Sequence, residues 1–326
     1  VIDTRLSLAD MYRQQGRFSI ARLFLNDAVA DLDKLLGPRH PDTLNAQADL
    51  ASVDVESGNF RVAERSFNSV LKGLEERLGG DHPRVAVVRG FFGELERELG
   101  REDDAEKQLR LSLETLKRVF GERHPATAQA QDRLARLRLD QGRLEEAAVL
   151  IGAASATRLA VLGERHPSMA LSYVVSGNLA LAQGRPAADV TDDAERALAI
   201  VRTAFEGDHP LAVEAQRLQA SAAMLSGNHA EAERLYAALV PQAERLYAPE
   251  SLPIAKLYLG KGKALLARGD EVNATADIVR ALAIYKNVVG PDSLLLEEPL
   301  LLAVRVDKRE VREESLRHLL SLREKH

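Results

Sequence analysis

A chain of 326 residues with a formal net charge of −5 and no tryptophan lacks the basic surplus expected of a nucleic-acid binder or of a protein held to a membrane surface by charge. The absence of cysteine excludes disulfides and thiolate metal sites and fits a cytoplasmic protein. No run of 18 apolar residues is present to span a bilayer, and the first residues carry no signal-peptide pattern.

The chain is organised by repetition. Gly-Glu-Arg-His-Pro at Gly121 to Pro125 returns at Gly163 to Pro167, with variants at Gly37 to Pro41, Gly80 to Pro83 and Gly207 to Pro210. Prolines 41, 83, 125 and 167 lie 42 apart, and the next follows after 43. A second marker keeps the same step at Gly16, Gly58, Gly100, Gly142, Gly184, Gly227 and Gly269. One helical hairpin cannot bury its apolar face alone, so a fixed period of this size implies a stack of hairpins. That repeat overrides the prior of about two domains for this length.

In the first unit Leu8, Ala9 and Tyr12 share a helical face over Thr4 to Gln15, and Gly16 suits the left-handed residue after a helix end. A second helix opens at Arg17 and Phe18 and runs through Ala21, Leu25, Ala28 and Leu32 to Gly37. Its apolar steps of three and four keep one stripe facing inward. His40-Pro41 then starts the next unit, proline being tolerated where its missing N–H has no partner. The same spacing predicts helices near 41–57 and 60–78, 83–99 and 101–120, 125–141 and 144–162, 167–183 and 187–205, 210–226 and 229–246, and 251–268 and 271–289. The extra residue of the fifth unit is expected between Pro186 and Asp189. Beyond Ser293 the pattern fails. Pro299 reads as a fresh helix start, with Leu300, Leu301, Val304, Val311, Leu316, Leu319 and Leu320 expected inward, Asp307 to Glu310 as a turn or exposed face, and Glu313 paired with Arg317. Residues 1–292 are thus read as seven hairpins and 293–326 as capping helices.

The turn glycine, an aromatic or leucine two residues on, and alanine five residues on (Ala21, Ala63, Ala105, Ala147, Ala232, Ala274) resemble the tetratricopeptide repeat (TPR). The period of 42 and the His-Pro connector are similar to its kinesin-light-chain variety, also common in bacteria. A gene rich in Arg and Ala agrees with a bacterial source. The fifth unit departs from the pattern, with Asp189 or Val190 at the small-residue position. The resemblance implies an all-α, right-handed superhelical solenoid that binds a protein or peptide.

A search for chemistry returns little. Five of the eight histidines sit in His-Pro connectors. Successive units place them on the order of 10 Å apart, far beyond the roughly 2 Å of a metal bond, so they read as capping residues. Gly260-Lys261-Gly262-Lys263 lacks the following Ser or Thr and the leading glycine of a phosphate loop, and Gly262 reads as a point of close helix approach. No catalytic or dinucleotide motif occurs, so neither enzyme activity nor a cofactor nor a metal is expected.

In the family the first helix of each hairpin lines the concave surface, and the position six before the turn glycine points into it. Carried over, that position holds Asp10, Ser52, Glu94, Arg136, Asn178, Ser221 and Lys263. Together with flanking positions, Arg97, Arg133, Arg136, Asn178, Arg217, Met224 and Lys263 form the candidate ligand groove. Arg pairs carboxylates bidentately, and Asn178 resembles the family's peptide-backbone clamp, which suits an acidic or C-terminal segment of a partner. In the competing reading Glu94, Glu98 and Asp132 neutralise these arginines locally. Val174, Val175, Leu181, Met224, Leu225, Leu259 and Leu266 offer apolar anchors if exposed and core if covered. The sequence therefore implies a peptide-binding interaction module, with no nucleic acid or membrane as partner. Its alternatives are the sensory part of a larger signalling protein, such as a kinase or transcription regulator, whose effector domain precedes Val1 and contacts this region, and a scaffold that assembles through its ends.

Overall fold

The structure, a computed structural model, describes residues 1–306 and 308–325. Among them every regular element is helical. Seven antiparallel hairpins follow one another: α1 (Ile2–Gln14) with α2 (Phe18–Leu36), α3 (Pro41–Glu56) with α4 (Phe60–Leu78), α5 (Pro83–Glu98) with α6 (Glu102–Phe120), and α7 (Pro125–Asp140) with α8 (Leu144–Leu162). Then come α9 (Ser168–Ala182) with α10 (Ala187–Ala204), α11 (Pro210–Leu225) with α12 (His229–Leu246), and α13 (Leu252–Ala267) with α14 (Glu271–Val289). No described helix is long and apolar enough to cross a membrane.

Local chemistry sets the helix ends. In five connectors the histidine Nδ1 accepts the backbone N–H two residues on: His40 from Asp42, His82 from Arg84, His124 from Ala126, His166 from Ser168 and His209 from Leu211. Each connector histidine thus takes the place of the usual Ser or Asp cap and satisfies a donor left free in the first turn. At the other end of each first helix the turn glycine has positive φ. The N–H after it reaches back five residues, as in Arg17 to Tyr12 and Arg143 to Arg138, closing the helix with a Schellman motif. The alanines five after these glycines are fully buried, which lets the two helices of a hairpin approach closely. In the fifth unit Pro186 absorbs the extra residue before α10, and Val190 occupies the small-residue position, fully buried. Gly260 and Gly262 work the same way on α13: a Cβ there would stand 2.5 Å from the Tyr236 ring and 2.6 Å from Ile278.

After α14 a short 3-10 turn (Leu294–Leu296) leads into α15 (Glu297–Ala303), with Pro299 in its first turn, and α16 (Arg309–Lys325). Here the expected inward face is partly wrong. Leu301, Leu316 and Leu320 are exposed, whereas Leu302, Ala303, Val306, Leu319 and Leu322 are buried. On α16 the steps Ser315, Leu319, Leu322 define the packed face, and a residue one position on from a buried one is turned by about 100° away from it. Glu313 pairs with Arg309, not Arg317. Of the expected turn at 307–310, Asp307 lies outside the described residues and Arg309 and Glu310 already belong to α16.

The stack closes on itself. The end of the first helix in units one, two and three rests on the start of the sixth, the seventh and the C-terminal segment respectively. His209 Nε2 lies 2.9 Å from the Gln14 carbonyl, the Ala248 N–H donates to the Ser57 carbonyl at 2.7 Å, and Arg61 donates to the Asn287 carbonyl at 2.6 Å. Apolar residues follow the same route: one continuous core holds Val53, Val55 and Leu95 together with Leu252, Leu257, Leu296 and Leu300. Five units therefore complete one superhelical turn, and successive turns touch.

Two predictions follow from this closure. Gly58 (φ +84°) and Gly142 (φ +69°) share a backbone conformation, but a Cβ on Gly58 would stand 2.5 Å from Ser251 Cβ while one on Gly142 meets nothing within 4 Å. Gly142→Ala should cost about 1–2 kcal/mol for the left-handed backbone, and Gly58→Ala a further 1–3 kcal/mol for overpacking; equal losses in urea unfolding would show that the turns are not in contact. His209 accepts at Nδ1, donates at Nε2 and is 5% exposed, and burial lowers its pKa despite the bond to Gln14. The unfolded chain then binds the proton more readily, so this stability is present above about pH 6.5 and is lost as pH falls through that value. The parent should lose more thermal stability than His209→Gln between pH 7.5 and 5.5.

Candidate functional site

Closure turns the concave surface into a chamber of about 680 Å³, walled by residues from the first helices of all seven units. Its size falls in the range of ligand pockets, roughly 300–1,000 Å³. Phe18 and Phe60 from second helices, and Tyr247 and His209 from connectors, complete the wall.

The wall is dense in charge, and much of that charge is paired between neighbouring units. Arg13 meets Glu56 at 2.8 Å, Arg136 meets Glu94 at 3.0 Å, and Arg97 meets Asp140 at 2.5 Å while also contacting Glu94 and Glu98. Lys256 reaches Glu98 at 2.9 Å across the closed turn, and Arg217 holds Glu214 at 3.0 Å. Burial works against ionisation of Glu98 and Glu214, but Arg97 and Lys256 on the former, and Arg217 and Lys256 on the latter, outweigh it and hold both carboxyls below their ordinary range. Asp132, in the wall, pairs at 2.5 Å with Arg158 behind it, the two being 1% and 3% exposed, and Arg158 also donates to Ser172 Oγ at 2.9 Å. Burial raises the Asp132 carboxyl against the pull of Arg158.

Five of the seven residues expected in a groove line this chamber: Arg97, Arg133, Arg136, Asn178 and Arg217. Met224 instead packs at the edge of the helix core, and Lys263 pairs with Glu298 of the C-terminal segment. Both lie nearer the C-terminal ends of α11 and α13 than the residues of those helices that reach the chamber, Glu214, Arg217 and Lys256 among them. Asn178 is committed to the protein itself, its Nδ2 donating to the Val174 carbonyl at 2.9 Å and its Oδ1 accepting from Arg217 at 2.9 Å. The apolar stretch of units five to seven is mostly core: Val174, Val175 and Leu259 are buried. Of its seven members, Val174 and Leu181 reach the chamber wall, and Leu225 is exposed elsewhere. Close helix packing consumes these side chains, as it does in any hairpin whose first helix is covered on two sides.

The profile of the MalT-like TPR region matches residues 2–286, which is nearly the whole helical stack. The chain belongs to the MalT-like TPR region family. No curated protein matches it. Among solved structures this TPR chain is similar to a Rap protein complexed with competence and sporulation factor, at 15% identity and TM-score 0.63, with 99% of this chain and 98% of that one covered. It is also similar to a signal transduction ATPase (STAND) protein with a tetratricopeptide repeat sensor from Pyrococcus horikoshii, at 11% identity and TM-score 0.55, covering 99% of this chain and 48% of that one. A putative kinesin light chain from Podosopora anserina with nearly identical TPR-like repeats matches at 22% identity and TM-score 0.45, over 64% of this chain and 96% of that one.

Sequence reasoning missed Phe91, Glu214, Lys256 and Tyr247, all in the wall of this TPR chamber. For Phe91 a signal existed: Gly90, beside it, is the glycine among the groove-facing positions ten before each turn, and a Cβ there would stand 3.0 Å from Arg133 Nη1. Lys256 had no such signal, since its partner Glu98 is 158 residues away.

The buried Asp132–Arg158 pair predicts a non-additive response. Arg158→Met should cost about 3–5 kcal/mol by stranding a buried carboxylate, whereas Asp132→Leu combined with Arg158→Met should be close to neutral. Chemical unfolding of the single and double variants checks this, and additive losses would contradict it.

Proposed function

We propose that this TPR chain is an interaction module that takes a short segment of a partner protein or peptide into its central chamber. TPR solenoids of this kind suit protein–protein interaction, and the observation that carries the finer reading is the concave wall of paired charges with Phe18, Phe60, Phe91, Leu171 and Leu181 between them. A helix 10 Å across fills roughly 420 Å³ per turn, so the chamber holds on the order of six residues rather than a long partner helix. Apolar side chains there supply burial, and ion-paired groups supply orientation without a large net field. We read it as a binding module and not as an enzyme.

A second reading is that the chain serves as the sensory portion of a larger signalling protein. Its support is family membership together with two neighbours of the same fold, the Rap protein complexed with competence and sporulation factor and the tetratricopeptide repeat sensor of the STAND protein. In that reading the chamber is the input site, and the two readings share one test.

Gln129 lines the chamber from α7 and is exposed, so Gln129→Trp fills the space without touching the core. Peptides selected by display on the parent are expected to lose at least tenfold in affinity for this variant, measured by fluorescence anisotropy. Equal affinity for both proteins would place the binding surface outside the chamber.

A further inference from the structure

Glycine inside a helix is less stable there than alanine, and most of the helical glycines of this chain are accounted for by its own packing. A Cβ on Gly73, Gly90, Gly93, Gly177, Gly260 or Gly262 would stand 3.0 Å or less from a neighbouring side chain. Gly152, within α8, has no such neighbour: among the described residues a Cβ there meets nothing within 4 Å.

Gly152 belongs to an apolar strip on the outside of the stack. Val149, Gly152, Ala153, Ala156, Leu159 and Ala160 are all exposed, Val149 to 73% and Leu159 to 52%, and steps of three and four place them on one face of the helix. Between Glu146 and Glu164 the only charged residue is Arg158, which is buried and paired with Asp132. The corresponding stretches of the adjacent second helices expose Lys107, Arg110 and Glu114 on α6 and Asp192, Glu195 and Arg196 on α10. The uncharged strip is therefore a property of α8 and not of the repeat.

We propose that this strip binds a second copy of the chain, α8 against α8 in an antiparallel two-fold pair. The surface is separate from the chamber, none of whose lining residues belongs to α8, and from the ends of the stack. Charge decides the occupant and its direction. Glu145 and Arg165 stand ten residues on either side of Ser155, which is within one residue of the middle of the strip. Both side chains are exposed and, among the described residues, have neither a hydrogen bond nor an ion pair. A two-fold axis at Ser155 brings each Glu145 level with Arg165 of the other copy, and Arg143 and Glu164 beside them repeat the match with the signs reversed. A parallel pair would set Glu145 against Glu145 and Arg165 against Arg165. Shape agrees with the antiparallel register: at about 1.5 Å per residue, Val149 falls beside Ala160 of the other copy and Leu159 beside its Gly152, large against small. Ala153 and Ala156 at the centre let the two helix axes approach to about 8 Å. Gly152 is then the place that receives Leu159 of the second copy. The strip measures on the order of 300 Å2 in outline, given a helix about 28 Å long, against roughly 800 Å2 per partner in a standard interface, so the dimer is a weak, reversible one.

Sedimentation equilibrium of the full chain between about 5 μM and about 1 mM should show monomer–dimer association. Ala156→Glu should weaken it at least tenfold. Gly152→Ala should raise the Tm of the dilute protein, because the helix gains, and yet weaken association at least threefold, an effect that misfolding could not produce. Glu145→Arg alone should weaken association, and Glu145→Arg combined with Arg165→Glu should restore it. The chain has no cysteine, so disulfide trapping reads the register: Ala156→Cys should cross-link to itself, and Val149→Cys only when mixed with Ala160→Cys. A parent that stays monomeric throughout would overturn the proposal and leave the strip to a different protein or to none. A dimer unchanged by Ala156→Glu and Gly152→Ala would place the interface elsewhere, and self-trapping of Val149→Cys would overturn the antiparallel register. None of these residues lines the chamber, so the binding function proposed above stands or falls separately.

Discussion

The contact of one superhelical turn with the next is the constraint on which the other features depend. A TPR stack in which units met only their immediate neighbours would have an open concave face, with its charges in water. Here the turns after α1, α3 and α5 rest on the starts of α11, α13 and the C-terminal segment, and an apolar core runs across that junction. The junction tolerates no extra atoms at Gly16, Gly58 or Gly100, where a Cβ would stand 2.4, 2.5 and 2.8 Å from its neighbour. Glycine is thus required twice at one residue, once for positive φ and once for space.

Enclosure changes the electrostatics. Surface ion pairs contribute little because water screens them, but Arg97, Glu94 and Glu98, with side chains 10–16% exposed, are shielded and their geometry matters more. The repeat supplies a simple way of arranging them. Equivalent positions of adjacent units stack, so partners fall one period apart: Arg13 with Glu56, Arg97 with Asp140, Arg136 with Glu94, and outside the chamber Arg84 with Asp42. The pair Lys256–Glu98 obeys a different rule, that of one full superhelical turn. The two rules account for four of the six wall carboxylates, with Glu214 paired inside α11 and Asp132 inside its own hairpin.

Membership of the MalT-like TPR region family and the likeness to solved TPR structures agree with this architecture. Aromatic rings are few, yet Phe18, Phe60, Phe91 and Tyr247 all reach the chamber. Such rings bring large apolar area at low conformational cost, which suits the short segment proposed to bind there.

The helices, their caps, the turn glycines, the buried alanines and the place of the inserted Pro186 were legible in the sequence because each is a local matter: helical periodicity, left-handed backbone and the missing proline donor act within a few residues. The inward direction of the first helices was legible through the family resemblance. The pairing of Lys256 with Glu98, the covering of Val174, Val175 and Leu259, and the placement of Met224 and Lys263 outside the chamber were decided by the tertiary structure alone. They depend on how many units complete a superhelical turn, a number set by small rotations summed over the stack. Composition and period define one unit and its neighbour; only the sum of all the units determines how far the concave face curls into a chamber.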